Sequence, residues 1–125
     1  RTLSYGDYTL DYENISYFNK IIIERKSSVS ELFAATGSSR ERWEREMEKL
    51  RSVDYKLILC EFNFMDIVNE QPPGLLESSA VYGSILSWQI EYKIPFLFAG
   101  NRVNGRACVW KLFHEFVKKK ILNIK

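Results

Sequence analysis

Asp7, Glu24 and Lys26 are the residues of this chain whose types and spacing can do chemistry together. They stand in two β-prone runs, Gly6-Asp7-Tyr8-Thr9-Leu10 and Ile21-Ile22-Ile23-Glu24-Arg25-Lys26. A polar and aromatic loop from Asp11 to Lys20 separates the runs, a pattern that predicts two antiparallel strands with a long connection. Three isoleucines have the composition of a buried strand, and this one ends in three charges. Side chains alternate along a strand, so Glu24 and Lys26 share one face and Arg25 takes the other. Pairing near the charged ends brings Asp7 toward Glu24. Two carboxylates that close repel unless a cation lies between them, and their oxygens suit Mg²⁺ or Mn²⁺. A lysine beside that cation can orient a water or help deprotonate it, which is the equipment of a phosphodiesterase.

The rest of the chain must hold these strands. Ser28 and Glu31 fit a capping box that starts a helix ending at Gly37, so Glu31 has a structural account beside a metal-binding or DNA-binding one. A second helix is expected from Arg40 to Val53, capped by Ser38 or Ser39, with Trp43, Met47 and Leu50 on its buried stripe. Its charged residues form a solvated face with a favourable Glu41–Arg45 pair, while Arg42 flanks the stripe and can clamp a phosphate. Tyr55 to Phe62 predicts a buried strand containing Glu61, and Met65 to Gly74 a loop. A helix from Glu77 to Tyr92, a strand from Ile94 to Phe98 and a helix from Asn104 to Ile121 complete the order. Alternation of this kind after an initial hairpin predicts an α/β three-layer domain with a mixed central sheet flanked by helices.

These residues resemble a known family. Gly6-Asp7 followed by Glu24-Arg25-Lys26 resembles the GD…ERK motif of the XPF-type structure-specific DNA nucleases. Arg42-Trp43 resembles that family's Arg-aromatic helix start, and Leu57-Ile58-Leu59-Cys60-Glu61-Phe62 its next core strand. The resemblance implies a restriction-endonuclease-like core and an endonuclease that hydrolyses phosphodiester bonds in branched or flapped DNA, in repair or recombination. It implies Asp7, Glu24 and Lys26 as catalytic residues, and Asp7 and Glu24 as ligands of Mg or Mn. Arg25, Glu31, Arg42 and Glu61 become auxiliary or DNA-binding residues. Two departures accompany the likeness. The family carries an acidic strand ahead of the GD strand, so residues 1–125 are expected to form a single nuclease domain lacking its first strand. The family also places an Asp four residues after the ERK lysine, where this chain has Ser30 and then Glu31. The alternative is a catalytically inactive DNA-binding or scaffolding subunit of the same fold.

Composition bounds the remaining possibilities. The 125 residues are 46% hydrophobic and 27% charged, which suits one globular domain with a real core. A net charge of +2 means that any DNA-binding surface must be a local patch. No apolar run approaches the ~20 residues of a membrane span, so a membrane partner is not expected. Cys60 and Cys108 lie outside any metal-ligand pattern and read as buried free thiols in a reducing compartment, which implies an intracellular protein, cytoplasmic or nuclear according to its host. His114, flanked by aromatics, reads as half-buried structure. Trp88, Tyr92, Trp110 and Phe113 exceed what thin helical faces usually bury, which predicts a homodimer or heterodimer surface.

Overall fold

A computed structural model describes residues 8–17, 19–70 and 77–124. Four short or medium strands come first: β1 (Tyr8–Thr9), β2 (Asp11–Tyr12), β3 (Ile15–Ser16) and β4 (Ile21–Lys26). The segment expected to be a plain loop is thus partly a hairpin. Strands β2 and β3 pair antiparallel across Glu13 and Asn14, whose φ values of 50° and 65° are the left-handed pair that a two-residue hairpin turn requires. Residues 1–7 of the expected first strand, Asp7 included, lie outside the described residues.

Strand β4 is followed by α1 (Val29–Thr36) and α2 (Arg40–Leu50), then by β5 (Tyr55–Cys60). The Ser28 hydroxyl accepts from the Glu31 N–H at 3.3 Å, as its capping position predicts. Gly37 stops α1 by donating to the Phe33 and Ala34 carbonyls, with φ of −117° rather than a left-handed turn. Trp43, Met47 and Leu50 are buried as their spacing requires. Helix α2 ends at Leu50, before the expected Val53, which is buried in the turn leading into β5.

The stretch after β5 differs from a loop. It forms α3 (Phe64–Asn69), opened by the Asp66 carboxylate accepting from the Asn63 N–H at 2.8 Å. Then come α4 (Ser78–Tyr92), β6 (Phe96–Phe98) and α5 (Arg102–Phe116), the last continued by a π-helical turn over Val117–Ile121. Lys93 leaves α4 in the left-handed region at φ 55°, and Asn101 caps α5 by accepting from the Asn104 N–H at 2.8 Å.

The central sheet has the order β1-β4-β5-β6. Strand β1 runs antiparallel to β4, with Tyr8 opposite Ile23. Strands β4, β5 and β6 are parallel, in a register that sets Lys26 beside Cys60 and Cys60 beside Phe98. This is the mixed α/β sheet that the sequence predicts. Alternation divides the side chains. Ile22, Ile58 and Cys60 enter one core with Leu32, Trp43, Met47, Ile85 and Trp88 from the α1–α4 layer. Leu59 and Glu61 emerge on the other face and meet α5 around Gly105. Among the described residues, no helix is long and apolar enough to cross a membrane.

Three expectations change. Trp88 and Tyr92 are buried core residues, so they are unavailable to a dimer surface; Trp110 alone of the four is strongly exposed. His114 is exposed rather than half-buried. Cys60 is buried as expected, whereas Cys108 is only half-buried.

Candidate active site

The last residues of β4 fall where the parallel strands end, the position at which open α/β sheets usually bind ligands. Glu24 and Lys26 are both half-buried and point to the α1–α2 side. There they line a cleft of about 410 Å³ together with Glu31, Arg42, Trp43 and Glu46. A more polar recess of about 380 Å³ adjoins it, bordered by Tyr8, Arg25 and the same Glu24, Lys26 and Glu31. The structure therefore brings together four of the predicted residues: Glu24, Lys26, Glu31 and Arg42.

Each is placed by a local cause. Glu24 and Lys26 share a face through the two-residue period of the strand. Glu31 stands in the first turn of α1. Its carboxylate accepts from the Ser27 hydroxyl and, at 3.4 Å, from the Ser27 N–H, one residue earlier than an ordinary capping box would use. Arg42 is exposed on the first turn of α2, with its side chain at the rim of the cleft. The Lys26 ammonium lies 4.0 Å from the centroid of the Trp43 ring.

Arg25 and Glu61 behave differently. The Arg25 guanidinium donates from Nε to Glu61 Oε2 at 2.7 Å. The Glu61 side chain is 5% exposed and that of Arg25 29%. The hydrogen bond to Glu61 holds the Arg25 pKa above its ordinary value, with the Glu61 charge adding to it and burial opposing it. Gly105 makes this geometry possible, since a Cβ there would sit 3.2 Å from Glu61 Cγ and 3.3 Å from its Oε2. Glu61 is thus committed to Arg25 on the α5 face.

Cys60 adjoins Lys26 in the sheet, yet burial pushes its thiol up to about 12 while Lys26 lowers it only in part. A thiol held protonated is no nucleophile at neutral pH.

The implied cation is tested by the donor chemistry. Glu24 and Glu31 offer hard carboxylate oxygens to one cleft. Among the described residues, no group of three His, Cys, Asp or Glu side chains gathers around one point. Magnesium is usually held by one or two carboxylates, with water and substrate phosphate completing its shell, so this donor set fits it. Asp7 lies outside the described residues.

Two features of the cleft are absent from the sequence reading: Glu46, and the contact of Trp43 with Lys26. Glu46 is four residues after Arg42, so helical spacing alone puts it on the same side of α2. Trp43 enters the sequence reading as part of the buried stripe and of the Arg42-Trp43 helix start, neither of which signals that Lys26 rests on its ring.

The ERCC4 domain model matches residues 1–104 of the chain. No match is found among curated proteins. Among solved structures the chain is similar to XPF from Aeropyrum pernix, at 21% identity and a TM-score of 0.65, over 98% of this chain and 54% of that one. It is similar also to XPF from Aeropyrum pernix in complex with DNA, at 21% identity and a TM-score of 0.65, over 95% of this chain and 52% of that one. The chain spans about half the length of those structures. At this identity the likeness establishes a shared fold.

Proposed function

Since this chain belongs to the ERCC4 domain family and has the XPF nuclease fold, we propose that it is a cation-dependent DNA endonuclease that cuts phosphodiester bonds in branched or flapped DNA. The observation that carries the proposal is the cleft where Glu24, Lys26, Glu31 and Arg42 converge. Glu24, with Asp7 and Glu31 as further oxygen donors, would hold Mg²⁺ or Mn²⁺. The cation supplies Lewis-acid polarisation of a phosphate when bound. Lys26 stabilises the negative charge that develops on the phosphate oxygens or orients the attacking water. Arg42 holds a neighbouring phosphate, bidentately where geometry allows. Arg25, tied to Glu61, fixes the outer side of β4.

The test is a nuclease assay with Mg²⁺ run beside a binding assay with Ca²⁺. Glu24→Gln and Lys26→Ala should each lower cleavage by about 10²–10³ and leave binding within a few-fold, because other phosphate contacts carry affinity. Arg42→Ala should weaken binding and reduce its salt dependence by about one phosphate contact. Mg²⁺ or Mn²⁺ should raise the melting temperature of the wild type, and less so for Asp7→Asn and Glu24→Gln, because the ion binds only the folded state. Binding without cleavage would support the second reading, a non-cleaving DNA-binding or scaffolding subunit. A protein that neither binds nor cuts DNA would refute both.

A further inference from the structure

Lys26 enters the cleft beside three carboxylates, Glu24, Glu31 and Glu46. A long, flexible ammonium side chain in such surroundings would ordinarily fold onto one of them. Among the described residues Lys26 makes no such ion pair. It rests instead on an indole, with Nζ 4.0 Å from the centroid of Trp43. Cation–π attraction acts within about 6 Å, and tryptophan is the strongest of the aromatic seats. Trp43 is 4% exposed, so water reaches little of the ring.

The seat is itself held. Trp43 meets Trp88 edge-on, with centroids 6.1 Å apart and planes at 69°. Trp88 Nε1 donates to Glu44 Oε2 at 3.0 Å, and the Arg40 guanidinium lies 5.1 Å from the Trp88 ring and 3.4 Å from that same Glu44 oxygen. Trp88 therefore has every partner its indole wants. Trp43 does not: its buried Nε1 has no hydrogen-bond partner among the described residues. A buried indole N–H normally finds one, and a buried donor left without one calls for an explanation. The edge-on Trp88 ring and the Lys26 ammonium both hold the indole in the orientation that leaves it unpaired.

We infer that Trp43 is a positioning residue that holds the Lys26 ammonium over the cleft without neutralising it. A carboxylate partner would consume the charge; an indole face attracts a cation and leaves its field available to a phosphate. The seat stands on geometry alone, while its role in cleavage rests on the nuclease reading.

Two measurements test this and separate it from that reading. In carbon–proton spectra, the Lys26 ε-methylene protons, assigned by their loss in Lys26→Arg, should lie upfield of the other lysines because they are shielded by the indole ring current. Trp43→Leu should return them to the common position, and Trp43→Phe should keep part of the shift. In cleavage, Trp43→Leu should lower kcat about tenfold with KM within about twofold, the loss expected for one desolvated cation–π contact. Trp43→Phe should recover most of it. In a Lys26→Ala background Trp43→Leu should cost nothing further, since the two act through one contact. Lys26 resonances indifferent to Trp43 would overturn the inference, as would additive losses in the double variant. The resonances of the wild type and of Trp43→Phe decide the matter even where Trp43→Leu fails to fold. A wild type that shows the shift yet leaves DNA uncut would confirm the seat and remove the nuclease reading.

Discussion

The two faces of the central sheet are built on opposite terms. On the α1–α4 face, large apolar side chains close over Ile22, Ile58 and Cys60, and the charged end of β4 projects into a cleft beside them. On the α5 face the contact is thin: Trp110 is 78% exposed, and a groove remains between α5, Leu59 and Glu61. The same strand supplies a cation to each. Arg25 on the thin side is bound by a buried carboxylate, whereas Lys26 on the thick side sits on an aromatic ring. Stability thus concentrates on the face that also holds the cleft, and of the two cations Lys26 is the one that makes no ion pair among the described residues.

The comparison can be broken most sharply with the cysteines. Cys60, on the thick side, keeps its proton to about pH 12. At pH 8 an alkylating reagent should modify it on the order of 10³-fold more slowly than an ordinary thiol with a pKa near 8.5. Half-buried Cys108 on α5 should label first, as peptide mapping would show. The sign for stability follows. The folded thiol has the raised pKa, so no stability is lost below about pH 9; it declines as pH rises toward 12, where the unfolded thiol ionises and the folded one resists. Equal labelling of both cysteines would mean that the thick face opens as readily as the thin one.

Trp88→Ala should cost about 3–5 kcal/mol in denaturant unfolding, because it hollows the thick core. Glu61→Ala should cost about 2 kcal/mol, less than the 3–5 kcal/mol typical of a fully buried pair, since Arg25 keeps some access to water. Gly105→Ala should cost about 1–2 kcal/mol as an overpacking change, because its Cβ would press on Glu61 and force α5 outward. Trp110→Ala should stay within about 0.5 kcal/mol, as exposed substitutions generally do. A Trp110 effect as large as that of Trp88 in dilute protein would show that the thin face is packed after all, and the contrast between the faces would fail.

Sequence alone made the thick side legible. The isoleucine run, the strand alternation that separates Glu24 and Lys26 from Arg25, and the stripe Trp43-Met47-Leu50 are local periodicities, and local periodicity survives folding. Helix α3 was missed because only Ile67 of its six residues is buried, so no stripe existed to read. Its signal was Asn63 followed three residues later by Asp66. The β2–β3 hairpin was missed because its turn is Glu13-Asn14, without the glycine that usually marks one. The Arg25–Glu61 pair joins residues 36 apart in sequence. Nothing local announces it; it follows from the register of β4 on β5. The lysine seat on Trp43 has the same origin, since it needs α2 to cross the end of β4 at one particular height.

The register of β4 on β5 also sets a schedule. Ile21 is paired with Tyr55 and Lys26 with Cys60, so all of α1 and α2 lie between a residue and its partner. Parallel strands require such a crossover, and contacts of long sequence separation form slowly. During synthesis, β4 would therefore leave the ribosome well before the strand that completes its parallel edge. Until Cys60 has emerged, the β4 edge that will meet β5 is open beside three consecutive isoleucines, and an unpaired apolar edge invites association with other chains. The strand that ends in Glu24 and Lys26 thus waits through the synthesis of α1 and α2 with one edge open, so faster translation between Lys26 and Cys60 should raise the yield of folded protein.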